Sequence, residues 1–167
     1  MSFKRALMVV LLGAFQCYAA ELRLIMEKIE IIKQSDVIGD QLYFHVLFAK
    51  NDDKLKAKLL PPMPFSYTQN NLKKFKPSTF WSGQLNDGET AEITIAFLER
   101  EMPPLLEDEL LASLKVNLKV HKDSVNAVWN GGKYATLMSG NNTDLKQVFH
   151  VKHEHAEYKL TMHLEKA

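Results

Sequence analysis

His150, His153 and His155 form the most metal-like local pattern in the chain. In an extended strand His153 and His155 project from one face, where two imidazoles could share zinc or copper. A second set is cationic. Lys54, Lys56, Lys58, Lys73, Lys74 and Lys76, joined by Lys115 and Lys119 on a later strand, offer a surface to anionic headgroups or other polyanions. Each lysine near a charged membrane contributes about 1 kcal/mol. Phe65, Tyr67 and Phe75 lie in the same stretch as apolar anchors, while Trp81 and Trp129 belong either to the core or to a sugar-stacking surface. There is no nucleophile elbow, phosphate loop, zinc-protease helix or paired catalytic carboxylate motif, so a non-enzymatic protein is expected.

The charge is nearly balanced over the whole chain but not along it. Lys+Arg 21 against Asp+Glu 20 gives +1 in 167 residues, which offers no support for nucleic-acid binding. Between Lys50 and Ser78, however, seven lysines face two aspartates, and between Thr79 and Leu110 eight acids face Arg100 alone. A basic segment is therefore followed by an acidic one.

The first residues read as an address. A basic stretch ending Lys4-Arg5, an apolar run from Ala6 to Phe15 and the small residues Cys17 and Ala19 match a secretory signal peptide, residues 1–19, cleaved after Ala19. The apolar run is short for a bilayer span, and no later segment approaches roughly 20 continuous apolar residues. Cys17 is the only cysteine, so the mature chain, residues 20–167, would be exported without a disulfide. The expected location is periplasmic or secreted, with no transmembrane segment in the mature chain.

Short alternating runs must position these groups. Leu22, Leu24 and Met26, then Ile29 and Ile31 after a phase shift, predict a strand with a bulge. Leu42, Phe44, Val46 and Phe48 alternate with Tyr43, His45 and Leu47 in a second strand. From Asn51 to Pro77 the pattern breaks into a long Lys/Pro-rich loop. Thr79–Leu85, the turn Asn86-Asp87-Gly88 and the alternating Ala91, Ile93, Ile95 and Phe97 read as a hairpin. Pro103 to Glu109 suits one turn of helix. Leu114, Val116, Leu118 and Val120 alternate with Lys115, Asn117, Lys119 and His121, and further extended pieces fall at 133–138, 146–151 and 157–164. About eight strands without intervening helices predict an all-β fold, an antiparallel β-sandwich forming a single domain.

The stretches Asp36–Phe44, Ile93–Glu101 and Glu107–Leu111 together resemble the C-two domain, the eight-stranded sandwich that binds calcium and phospholipid. The resemblance implies one acidic loop at Asp36 and Asp40 and a second at Glu99, Glu101 and Asp108. It covers most of the mature chain in strand count but three short patches in motif. It also implies that acidic lipid can be engaged through a lysine-rich face without calcium. The expected function is an exported binding module, a secreted effector among the candidates, that engages acidic, phosphoinositide-like phospholipid surfaces or a host or cell-envelope macromolecule. The alternative is a metal-dependent hydrolase or a carbohydrate-binding domain that uses the histidine and tryptophan surface.

Overall fold

The computed structural model describes residues 19–33, 41–62, 67–72, 74–100, 107–122, 124–138, 140–154 and 156–167. Two five-stranded antiparallel sheets face each other. The first has the order β4 (Ser78–Asn86), β1 (Ala19–Lys33), β10 (Ala156–Lys166), β9 (Lys146–His153), β8 (Ala135–Leu137). The second runs β3 (Lys56–Leu60), β2 (Leu42–Lys50), β5 (Thr90–Glu99), β6 (Glu109–His121), β7 (Ser124–Gly131). One helical turn, α1 (Gln69–Leu72), accompanies them. The β-sandwich expected from the alternation is the architecture, with ten strands among the described residues. No helix among them is long and apolar enough to cross a membrane.

Side-chain alternation explains which face each strand buries. Leu22, Leu24 and Met26 are fully buried from β1, and a register shift between Met26 and Lys28 returns Ile29 to the interior. The bulge thus solves the phase problem set by the sequence. Phe44 from β2 stacks on Phe97 from β5 at 4.7 Å, and meets the ring of Phe80 from β4 edge-on at 4.9 Å. Tyr158 from β10 meets Phe97 edge-on at 5.1 Å. This aromatic cluster ties one sheet to the other. Trp129 and Trp81 are also core residues, 1% and 6% exposed, so neither offers a ring to a sugar.

Two expectations about connections are corrected. The Asn86-Asp87-Gly88 turn is present, with Gly88 at φ 81°, but β4 and β5 belong to different sheets and form no hairpin. The turn carries the chain across the sandwich, held by Gly88 N–H donating to Val120 O (2.9 Å) and Lys122 N–H donating to Asp87 Oδ1 (2.7 Å). A tight turn between two half-buried runs is compatible with either arrangement; the partner of β4 is β1. Likewise, the 51–77 excursion contains β3 and α1, and Tyr67 exchanges two backbone hydrogen bonds with Leu42. The anticipated helical turn at 103–109 lies mostly outside the described residues, as does the leader apart from Ala19, where β1 starts.

Candidate functional site, a lysine flank

β3 and β4 are edge strands of opposite sheets and lie on the same flank of the sandwich, where Lys58 Nζ donates to Thr79 O at 3.1 Å. β3 pairs with β2 so that Lys56, Lys58 and Leu60 share the row of Phe48, Val46 and Phe44, the core-facing row. Leu60 is buried there, but Lys56 and Lys58 sit where the sandwich opens, and both are exposed. Charged side chains on the inward row of an edge strand also discourage pairing with another strand.

The lysines are arranged along β4. Lys74 and Lys76 line an open cavity of about 430 Å³ beside Ser78, the first residue of the strand. Lys58 reaches Thr79, and Lys54 and Lys56 line a groove of about 170 Å³ against Trp81, Ser82 and Gly83. Lys50 reaches the far end, donating to Gln84 O at 3.1 Å. Six residues of extended chain separate Ser78 from Gln84, so the row is roughly 20 Å long. Gly83 has a specific part in this groove. A Cβ there would lie 2.6 Å from Trp81 Cζ2, so glycine lets the indole lie back along its own strand.

Position within the row decides which charges are compensated. Lys50 pairs with Glu89 Oε2 at 2.7 Å. The Glu89 carboxyl is pushed down to about 2, first by the Asn86 N–H it accepts at 2.7 Å, then by Lys50, with the Asn51 amide at 3.1 Å adding to both. Lys54, Lys56, Lys74 and Lys76 form no ion pair among the described residues. Phe75 separates Lys74 from Lys76 and turns inward, edge-on to Tyr67 at 5.4 Å, and Tyr67 in turn meets Phe44. The two lysines are thereby fixed to the core through an aromatic chain. Burial pushes the Tyr67 phenol up, against a hydrogen bond with the Ser78 side chain that lowers it.

Other expected site residues fall elsewhere. Lys115 and Lys119 are on β6, three strands in from the β3 edge, and Lys115 is paired with Glu92 at 2.7 Å, so they do not extend the flank. Lys73 lies outside the described residues, as do Phe65, Asp36, Asp40, Glu101 and His155. Glu99 is 4% exposed and continues the inward row of Ile95 and Phe97. Asp108, by contrast, accepts a hydrogen bond from Tyr43 Oη at 2.7 Å on the outward row of β2. The two carboxylates are therefore on opposite faces of their sheet. Burial, and then Asp108, pushes the Tyr43 phenol up to about 12, while Arg100 stands 5.2 Å from the ring centre.

His153 is a buried side chain, and its expected partner His155 lies outside the described residues. It shares the inward row of β9 with Phe149 and Val151, is 6% exposed, and lies edge-on to Tyr134 at 4.2 Å. His163 is on the outward row of β10, at the opposite end of the β9–β10 pairing, opposite Lys146. Among the described residues no three His, Cys, Asp or Glu side chains form a group that could hold a metal ion. Lys50 and Glu89 were missed in the sequence because a single lysine at a strand end and a single acid after a turn carry no pattern.

No family model matches the chain, and no curated protein matches it.

Proposed function

We propose that the protein is an exported, non-enzymatic binding module whose β3–β4 flank engages anionic phospholipid surfaces. One observation carries the reading: Lys54, Lys56, Lys74 and Lys76 line one flank without an ion pair among the described residues. Four such lysines contribute about 4 kcal/mol near an anionic membrane, roughly a thousandfold in partition. The sequence-level likeness to the C-two domain is part of this proposal, with lysines rather than calcium as the principal contact. Export rests on the leader pattern of residues 1–19.

The test is sedimentation of the mature protein with vesicles of phosphatidylcholine alone or mixed with phosphatidylglycerol or a phosphoinositide, with calcium and with chelator. Pelleting with the anionic mixtures in both conditions is expected. Pelleting that vanishes in chelator would transfer the activity to the acidic loops, and absence of pelleting throughout would overturn membrane binding.

A further inference from the structure

A second concavity lies on the outward face of the second sheet, on the other side of the turn that joins β2 to β3. It has a volume of about 580 Å³, within the range of small-ligand sites. Two neighbouring cross-strand rows form its floor. Ala49, Glu92, Asn117 and Val128 are partners in one row across β2, β5, β6 and β7. Thr90, Lys119 and Asn126 form the next. Four strands at about 4.8 Å spacing make a floor roughly 14 Å across. The turn residues Asp52, Asp53 and Leu55 wall one side. Asn51 and Asp52 hold left-handed backbone angles, φ 48° and 60°, and Asn51 is anchored by accepting from the Thr90 N–H at 2.9 Å.

The lining chemistry excludes several ligand classes. Three carboxylates, Asp52, Asp53 and Glu92, face Lys119 and the already paired Lys115, so an anion is disfavoured here while it is favoured on the lysine flank. The apolar lining is Ala49, Val128 and Leu55 at the rim, 65% exposed, together with Ala91 and Leu118, which are 3% and 1% exposed and offer little surface, so a fatty chain has little to bury against. What the trough does supply is mixed hydrogen-bonding capacity. The side-chain amides of Asn117 and Asn126 each donate and accept, carboxylates accept, and Thr90 and Lys119 donate. None of the side chains of Asn117, Asn126, Asp52 or Lys119 has a hydrogen-bond or ion-pair partner among the described residues. Vicinal hydroxyls need this mixture, since each both donates and accepts, and the C–H face of a pyranose ring fits small apolar contacts such as Val128 and Leu55.

We infer that this trough binds a neutral glycan, with Asn117 and Asn126 reading adjacent hydroxyls and Leu55 covering the ring. The inference does not depend on the lysine flank. It also replaces the tryptophan surface as the place where a sugar would bind, because both indoles are in the core.

The experiment is a glycan array probed with the labelled mature protein, bearing neutral glycans alongside sialylated and sulfated ones, and repeated with Asn117→Ala/Asn126→Ala and with Asn126→Arg. The first variant removes the hydrogen-bonding groups; the second projects a long side chain into the trough from an exposed position. Neutral glycans should be retained by the native chain and lost by at least roughly tenfold in both variants. Melting temperatures should stay within the range of a surface change. Sialylated or sulfated glycans retained equally by native protein and variants would report the lysine flank instead and, without neutral retention, would overturn the trough. Neutral retention unchanged by either variant would overturn it as well.

Discussion

Charge is used in opposite ways on two surfaces of this sandwich. On the outward face of the first sheet, cations and carboxylates neutralise each other within and across strands. Lys146 meets Glu27 at 2.5 Å, Arg23 lies between Glu21 and Glu165, and Lys28 meets Glu30 at 2.9 Å with Lys159 at 4.0 Å. His163 stands 3.0 Å from Glu27 and 3.6 Å from Glu165. Lys28 and its neighbours hold the Glu30 carboxyl below its ordinary value. On the β3–β4 flank the lysines follow one another, and among the described residues the acids beside them are Glu89 on Lys50 and Asp53 in the groove with Lys54 and Lys56. The difference separates charge that is spent on cross-strand register from charge left over for an external partner.

The largest expected effect breaks the comparison from the flank side. Replacing Lys54, Lys56, Lys74 and Lys76 together by Ala should weaken partition onto anionic vesicles by roughly a thousandfold. Stability should change by about 0.5 kcal/mol or less per site, because these side chains are exposed. Co-sedimentation and thermal melts on the same preparations measure both.

Glu27→Gln works from the other side. It should cost about 1 kcal/mol or less of stability, since Lys146 and His163 lose a shared, partly exposed partner. Vesicle partition should not move; a gain equal to a flank lysine's would show that any unpaired lysine suffices and that the flank has no special geometry.

Lys58→Met tests the boundary between the two uses, because Lys58 is both in the row and bonded to the Thr79 carbonyl. Denaturant melts should show a loss of about 0.5 kcal/mol, the lower end for a solvent-accessible hydrogen bond. Partition should fall by no more than one lysine's share, about 1 kcal/mol.

Glu89 gives the smallest effect and a pH signature. Its carboxyl is depressed from 4.5 to about 2 in the folded chain, so the native state binds fewer protons than the unfolded one between those values. The stabilisation is complete above about 4.5 and is lost as pH falls through about 2. Glu89→Gln should flatten this part of the melting-temperature profile. It should also tighten vesicle binding slightly at neutral pH, because Lys50 is released to join the row.

Most buried faces were legible in the sequence, for a plain reason: hydrophobic alternation reports burial directly. It located the β1 bulge and the inward rows of β2, β5 and β6. It is silent about partners, which is why the 86–88 turn read as a hairpin when β4 pairs with β1. β3 was hidden because two of its inward positions are Lys56 and Lys58, tolerated only at an open edge. The lysine run was visible as composition, yet its order along β4 depends on two sheets meeting at one flank. Adding Lys115 and Lys119 to it followed from residue type alone, and Glu92 shows the cost of that shortcut. For His153 the needed signal was present, since Phe149 and Val151 at two-residue spacing already marked its side of β9 as the inward one. The trough left no trace in sequence, because Asn117 and Asn126 become neighbours in space only through the β6–β7 register that sets Asn117 beside Val128 and Lys119 beside Asn126.

The most direct test of the central claim is the salt dependence of partition onto phosphatidylcholine–phosphatidylglycerol vesicles, measured for the native mature chain and for the four-lysine variant. Uncompensated lysines near an anionic surface are screened over about a Debye length, about 10 Å at 0.1 M salt. The account predicts a steep loss of native binding as salt rises and a nearly flat, weak response in the variant. Native binding that is indifferent to salt, or a variant that keeps the native slope, would contradict it.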